Sequence, residues 1–315
     1  MSFQNIISNR VLITCLIGVA VSLPTFATDI SDGTNSFVVG ISNFGALYDG
    51  NTGTGIRRVS DGYDPLQPGT PRDSWGISAS GFGGYSDPQF YGDLNLILNG
   101  SPVFGSNSAF ISTFLNDGSN NLLQVDQTYT FGASNILQIA TVVTNVSGSA
   151  QAVLFQRNVD WDPPLTFSNF TRSDPFGGFV VDASYYGFED PDPTSPYAAS
   201  SGASGGTFGS GDLGAGIKLD LGLLADGGSS MFTFLYGINQ EGQSPSDLYS
   251  QAAGLGATFL IASYSDEGDF NTASQSAIFG VREIATASAT PEPGTLVMLA
   301  TGLGLVGYGV FRRKA

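Results

Sequence analysis

Two aspartates end one strand-like segment. Asp160 and Asp162 flank Trp161 in the run Asp160-Trp161-Asp162-Pro163-Pro164. On an extended chain they face the same side, roughly 6.6 Å apart at about 3.3 Å per residue. Paired carboxylates beside an aromatic ring suggest glycoside hydrolysis, where acid separations of about 5–9.5 Å fix the stereochemistry. Catalytic pairs usually come from different strands, however, and nothing marks either acid as the one with a raised pKa. The plainer readings are a strand end accepting backbone hydrogen bonds, or a structural cation site. A second acidic group, Glu189, Asp190 and Asp192, falls in a proline-rich stretch. Oxygen donors in a flexible loop suit Ca2+, but the ordered D-x-[DN]-x-[DN]-G loop is absent, which favours a solvated loop. Asp160, Asp162, Asp190 and Asp192 are thus the residues that would ligate a metal, with Ca2+ the ion they would take. No other cofactor and no catalytic residue are assigned.

Gly209-Ser210-Gly211-Asp212-Leu213-Gly214 matches a dinucleotide fingerprint as a string. That fingerprint needs a strand before it and a helix after it; here a Gly/Ser loop precedes and a strand-like segment follows, so nucleotide binding is rejected. Trp75, Trp161, Tyr185 and Tyr186 could stack on sugar rings if exposed, although phenylalanine predominates and is usually core filling.

What is missing narrows the chemistry further. The 315 residues contain no histidine, and the single cysteine is Cys15. Disulfides, thiol catalysis, Ser-His-Asp catalysis, His-ligated zinc and haem are excluded for residues 28–290. All 27 acidic residues lie between Asp29 and Glu292, against Arg57, Arg58, Arg72, Arg157, Arg172, Lys218 and Arg282 in the same span. That surface, near −20, repels phosphate backbones, so nucleic acid is not a partner.

The elements that must position these groups are strands. Leu123, Val125, Tyr129 and Phe131 alternate with Gln124, Asp126, Thr128 and Thr130, the period of a half-buried strand. Ile136–Val146 and Ala150–Val159, joined by Ser147-Gly148-Ser149, are predicted to form a hairpin. Gly216–Leu224 and Met231–Ile238 around Asp226-Gly227-Gly228 predict a second. Further strands are expected over 37–47, 75–85, 94–98, 109–115, 178–185, 258–264 and 277–283, with one short helix over Ser246–Gly254 starting from Ser246 or Asp247. The fold class expected is all-β, an antiparallel β-sandwich. Residues 58–73 and 189–216 read as long loops, and one domain over 28–288 is favoured over a boundary near residue 190.

Both ends read as address signals. Met1–Arg10, the apolar Val11–Leu23 and Thr25-Phe26-Ala27 compose a secretory signal peptide, 1–27, cleaved after Ala27. Cys15 lies inside the apolar run, which argues against a lipoprotein signal. At the other end, Pro291-Glu292-Pro293 precedes a 16-residue apolar run, Leu296–Phe311, and the basic tip Arg312-Arg313-Lys314. As a helix the run is roughly 24 Å long, short for a core of about 30 Å. Its four glycines each cost about 1 kcal/mol of helix propensity, as suits a temporary transmembrane span. The positive-inside rule keeps the basic tip cytoplasmic and the body outside.

In this order, motif, span and tip resemble the PEP-CTERM tail of exported Gram-negative proteins. The resemblance covers 289–315 and implies recognition at Pro291, Glu292 and Pro293 by an exosortase-type enzyme of the inner membrane, with Arg312 and Arg313 as the retention stop. It also implies a transient inner-membrane tether, then release to the outer surface or the exopolysaccharide matrix. The stretch from Asn145 to Asp162 is similar to one recurring in bodies of other such proteins, a likeness that implies no particular activity. For the body three roles are open: a non-enzymatic structural or adhesive matrix component, which is expected; a carbohydrate-binding protein; and a carboxylate-dependent glycosidase or lyase.

Overall fold

The computed structural model describes residues 28–284, apart from 35, 68–70, 133–134, 162–167, 173–178, 199–206, 209–213 and 266–267. The signal peptide, the sorting tail and Asp162 lie outside the described residues. The first strands are β1 (Thr28–Ser31), β2 (Phe37–Ile41), β3 (Ile56–Arg58), β4 (Asp73–Ala79), β5 (Phe82–Asp87), β6 (Gly92–Leu94) and β7 (Leu96–Leu98). There follow β8 (Val103–Phe104), β9 (Ser108–Asn116), β10 (Asn121–Phe131), β11 (Ile136–Asn145), β12 (Gln151–Val159) and β13 (Ser168–Arg172). The rest are β14 (Val180–Ser184), β15 (Thr207–Phe208), β16 (Ala215–Leu224), β17 (Ser229–Ile238), α1 (Pro245–Gly254), β18 (Phe259–Ser265) and β19 (Ser276–Ile284).

These build two facing antiparallel sheets. One runs β15-β13-β18-β19-β17-β11-β10-β9-β7, with β8 also on β9; the other runs β14-β16-β12-β4-β5-β6, and β1-β2-β3 form a small third sheet. Alternation puts Leu123, Val125 and Tyr129 of β10, Phe232, Phe234 and Tyr236 of β17, and Trp75 and Phe155 of the second sheet into one core. Trp75 stacks on Phe155 at 5.6 Å, and Phe155 meets Phe232 edge-on at 4.9 Å. The same core takes Ile30 and Val281, near both ends of the described chain. On the outer face of the larger sheet, α1 sets Leu248 and Ala252 against Ile136, Leu235, Leu260 and Ile278. The helix begins one residue earlier than expected, because Pro245 fits the first turn and the Ser244 hydroxyl accepts the Asp247 N–H. Among the described residues no helix is long and apolar enough to cross a membrane.

Neither predicted hairpin forms. β11 and β12 belong to different sheets, and so do β16 and β17. The two turns instead carry the chain across the sandwich side by side. Asn145 N–H donates to the Gly228 carbonyl, Gly227 N–H to the Asn145 carbonyl, and Gly148 N–H to Asp226 Oδ1. Two neighbouring arches can satisfy each other's backbone in this way, which a lone Ser-Gly-Ser turn could not. The segment expected as one strand from Trp75 to Tyr85 is a hairpin, β4–β5, turning at Ser80 (φ 48) and Gly81 (φ 90). Leu94–Leu98 likewise divides at Asn95 (φ 56), where the chain passes from one sheet to the other. Phe37–Leu47 stops being strand at Ile41.

Candidate functional site

The sequence candidates do not converge on one site. Asp160 is buried past the end of β12, packed so closely on Gly187 that a side chain there would meet its carboxylate. Trp161 is buried edge-on against Tyr236, 6.2 Å away, and offers no platform. Asp190 accepts from Asp192 N–H and the Ser195 hydroxyl, while Asp192 accepts from Thr194 N–H and hydroxyl. Both serve local turns. Among the described residues no three acidic or thiol side chains are grouped to hold a metal.

The stretch read as a solvated loop is instead an ordered strap over the outer face of the smaller sheet. Gln156 Nε2 donates to the Asp190 carbonyl and Lys218 Nζ to the Ser195 carbonyl. Glu189 accepts from the Ser184 hydroxyl and, at 2.7 Å, from Ala198 N–H. Burial beneath the strap pulls the Lys218 pKa down, while Asp182 and Glu189 pull the other way.

Two buried arginines complete the polar interior. Arg157, pointing inward from β12, bonds Asp73 Oδ2 at 2.6 Å, Gln127 Oε1 at 3.0 Å and the Gly45 carbonyl at 2.8 Å. Asp73 also accepts from Tyr236 at 2.6 Å and from Leu47 N–H at 2.7 Å. Burial drives the Tyr236 pKa well above its ordinary value and pushes Tyr129 up to about 12. Arg72 pairs with Asp87 at 2.6 Å, both side chains fully buried, under Phe90, Tyr91 and Phe188. Asp73 and Arg157 were legible in principle, since Asp73-x-Trp75-x-Ile77 and Phe155-x-Arg157-x-Val159 put their charges in phase with core residues, whereas Arg72 falls out of that phase. With their bonding capacity committed inside the fold, they are scaffold.

A polar cleft lies at the Ile238 end of β17. A cavity of about 410 Å³ is walled by the loop 239–244, the loop 271–275 and Arg58 with Asp61; a neighbouring one of about 510 Å³ shares Arg58 and Glu241 and adds Ser36, Phe37, Val59 and Gln240. Both fall within the usual size of a ligand pocket. Arg58 lies over the Tyr63 ring, donates to the Asn239 carbonyl and grips both oxygens of Asp61. That grip holds the Asp61 pKa below the ordinary 3.8. A depressed carboxyl stabilises the fold above its unfolded pKa and loses that contribution as the pH falls through the lowered folded value. The stability lost in Asp61→Asn should therefore be full near neutrality and shrink below about pH 3.8, which urea unfolding at about pH 6 and about pH 3 would measure.

Outside this frame, residues 289–314 match the family model described as the PEP-CTERM protein-sorting motif. The chain carries a PEP-CTERM sorting tail. A PEP-CTERM tail implies export, transient anchoring in the membrane and processing by an exosortase. No curated protein matches the chain. Among solved structures, a candidate aldose 1-epimerase from Escherichia coli K12 is similar at 10% identity and a TM-score of 0.36, covering 81% of this chain and 87% of that one. Ile238, at the cleft, pairs with Ala277 across the ladder, and Met231, seven residues back along the same strand, pairs with Ile284.

Proposed function

We propose that the protein is a non-enzymatic component of the outer surface or extracellular matrix. In this reading residues 28–288 are the working body between a signal peptide, 1–27, and the sorting tail, 289–315, and exopolysaccharide is the medium it works in. The observation that carries the reading is the state of the carboxylates. Hydrolysis of a glycosidic bond needs one acid kept protonated beside a second that is ionised. In the Arg58 cleft the guanidinium holds Asp61 ionised, the opposite of a proton donor. Asp93 is raised and lines a cavity of about 220 Å³, but among the described residues no second acid lines it. Asp64 and Asp87 are raised by burial; Asp64 gives both oxygens to backbone N–H groups, and Arg72 holds Asp87 through Oδ2.

Mass spectrometry of protein recovered from the cell exterior tests the route. The expected product starts at Thr28 and ends close to Pro291–Pro293. An intact Arg312-Arg313-Lys314 terminus on exterior protein, or the whole chain inside the cell with its leader uncut, would overturn it.

A further inference from the structure

We infer that the cleft around Arg58 is a binding subsite for a neutral saccharide segment. This rests on the matrix reading above and supplies its ligand class. Most of the cleft's polar side chains are already committed. Gln243 bonds Asn135, Gln240 and Gln251; Ser244 caps α1; Thr272 is tied to Asp269. What remains uncommitted is specific. Gln275 lines the cleft with its Oε1 buried and without a hydrogen-bond partner. Asn271 is exposed, and among the described residues its hydrogen bond is through its backbone N–H, to Asp269. Arg58 uses three of its five N–H donors, on Asp61 and Asn239. Exposed Glu241 stands on the wall common to both cavities.

This set mixes donors with acceptors, and a sugar hydroxyl, which both donates and accepts, answers each of them. Val59, 49% exposed, adds an apolar wall for the C–H face of a ring. Charge then selects among saccharides. Asp61 cancels Arg58, so Glu241 leaves the cleft net negative within an acidic body, which disfavours uronates, sulfates and phosphates. The spare Arg58 donors disfavour a cation in the same place. A neutral polyol fits both limits.

The test uses the exported protein on a glycan array with neutral and uronate-bearing arms, followed by titration of the retained oligosaccharides. Neutral glycans should be retained and uronates should not. Asn271→Ala with Gln275→Ala should weaken neutral binding about tenfold or more, through loss of two hydrogen-bonding partners. Glu241→Gln, a gain that no misfolded protein could show, should admit uronates while neutral affinity holds within about threefold. No retention of neutral glycans, equal retention of both arms, or wild-type affinity in the double variant would each overturn the subsite. Loss of binding in a protein that still fractionates with the matrix sinks the subsite alone. New reducing ends during the titration sink the non-enzymatic reading and leave the subsite standing.

Discussion

Asp73→Ala is expected to cost about 3–5 kcal/mol of folding stability. Neither Asp73 nor Arg157 exposes any side-chain surface. Removing the carboxylate leaves a guanidinium in the middle of the sandwich, and that group cannot escape by losing its proton, because an arginine side chain stays charged in proteins. The Leu47 N–H and the Tyr236 hydroxyl lose their acceptor in the same step. A body of this size gives roughly 2–4 °C of Tm per kcal/mol, so a fall of about 10 °C is expected. Adding Arg157→Met should restore much of the loss, since an apolar side chain of similar length fills the space without a charge. A single variant losing under about 1 kcal/mol would show that water reaches the pair.

That pair also marks how far the sequence could be read. Period two gave the strands of β9 to β12 and β16 to β19 nearly to the residue, because at least one face of each is buried. It placed Arg157 and Asp73 in phase with core residues as well, yet their meeting depends on two strands 84 residues apart. The arches were not legible, since Ser-Gly-Ser and Asp-Gly-Gly suit a hairpin or a crossing equally, and bonds between the two turns decide it. The Arg58 cleft was out of reach for a similar reason. It draws on β3, the loop after β17 and the loop before β19, none of which has a periodic pattern. The strap 189–198 was misread because its composition is that of a solvated loop. The signal for it lay on the strands beneath, where Gly76 and Gly83 leave room on the outer face of β4 and β5 for Pro191 and Asp192.

Gly76→Ala should therefore detach the strap. A Cβ at residue 76 would sit 1.9 Å from the Pro191 carbonyl oxygen and 3.0 Å from Pro193 Cδ. The first of these is backbone and cannot rotate away, and the cost of such overpacking is about 1–3 kcal/mol or more. The sheet has a complete ladder, β4 pairing with both β5 and β12, whereas the strap is held by a few side-chain bonds, so the strap is what moves. Gly83→Ala makes the contrast. Its Cβ would meet only the Asp192 carboxylate, at 2.5 Å, and that group can turn aside. Proteolysis within 189–198 should accelerate in Gly76→Ala and stay near wild type in Gly83→Ala. Lys218 supplies an independent readout. Released from Ser195 and from burial, its pKa should rise towards the ordinary value, which NMR titration of its ε-methylene signals would read. An equal pKa in all three proteins would mean that the strap does not shield the sheet, and the lowered Lys218 would need another cause.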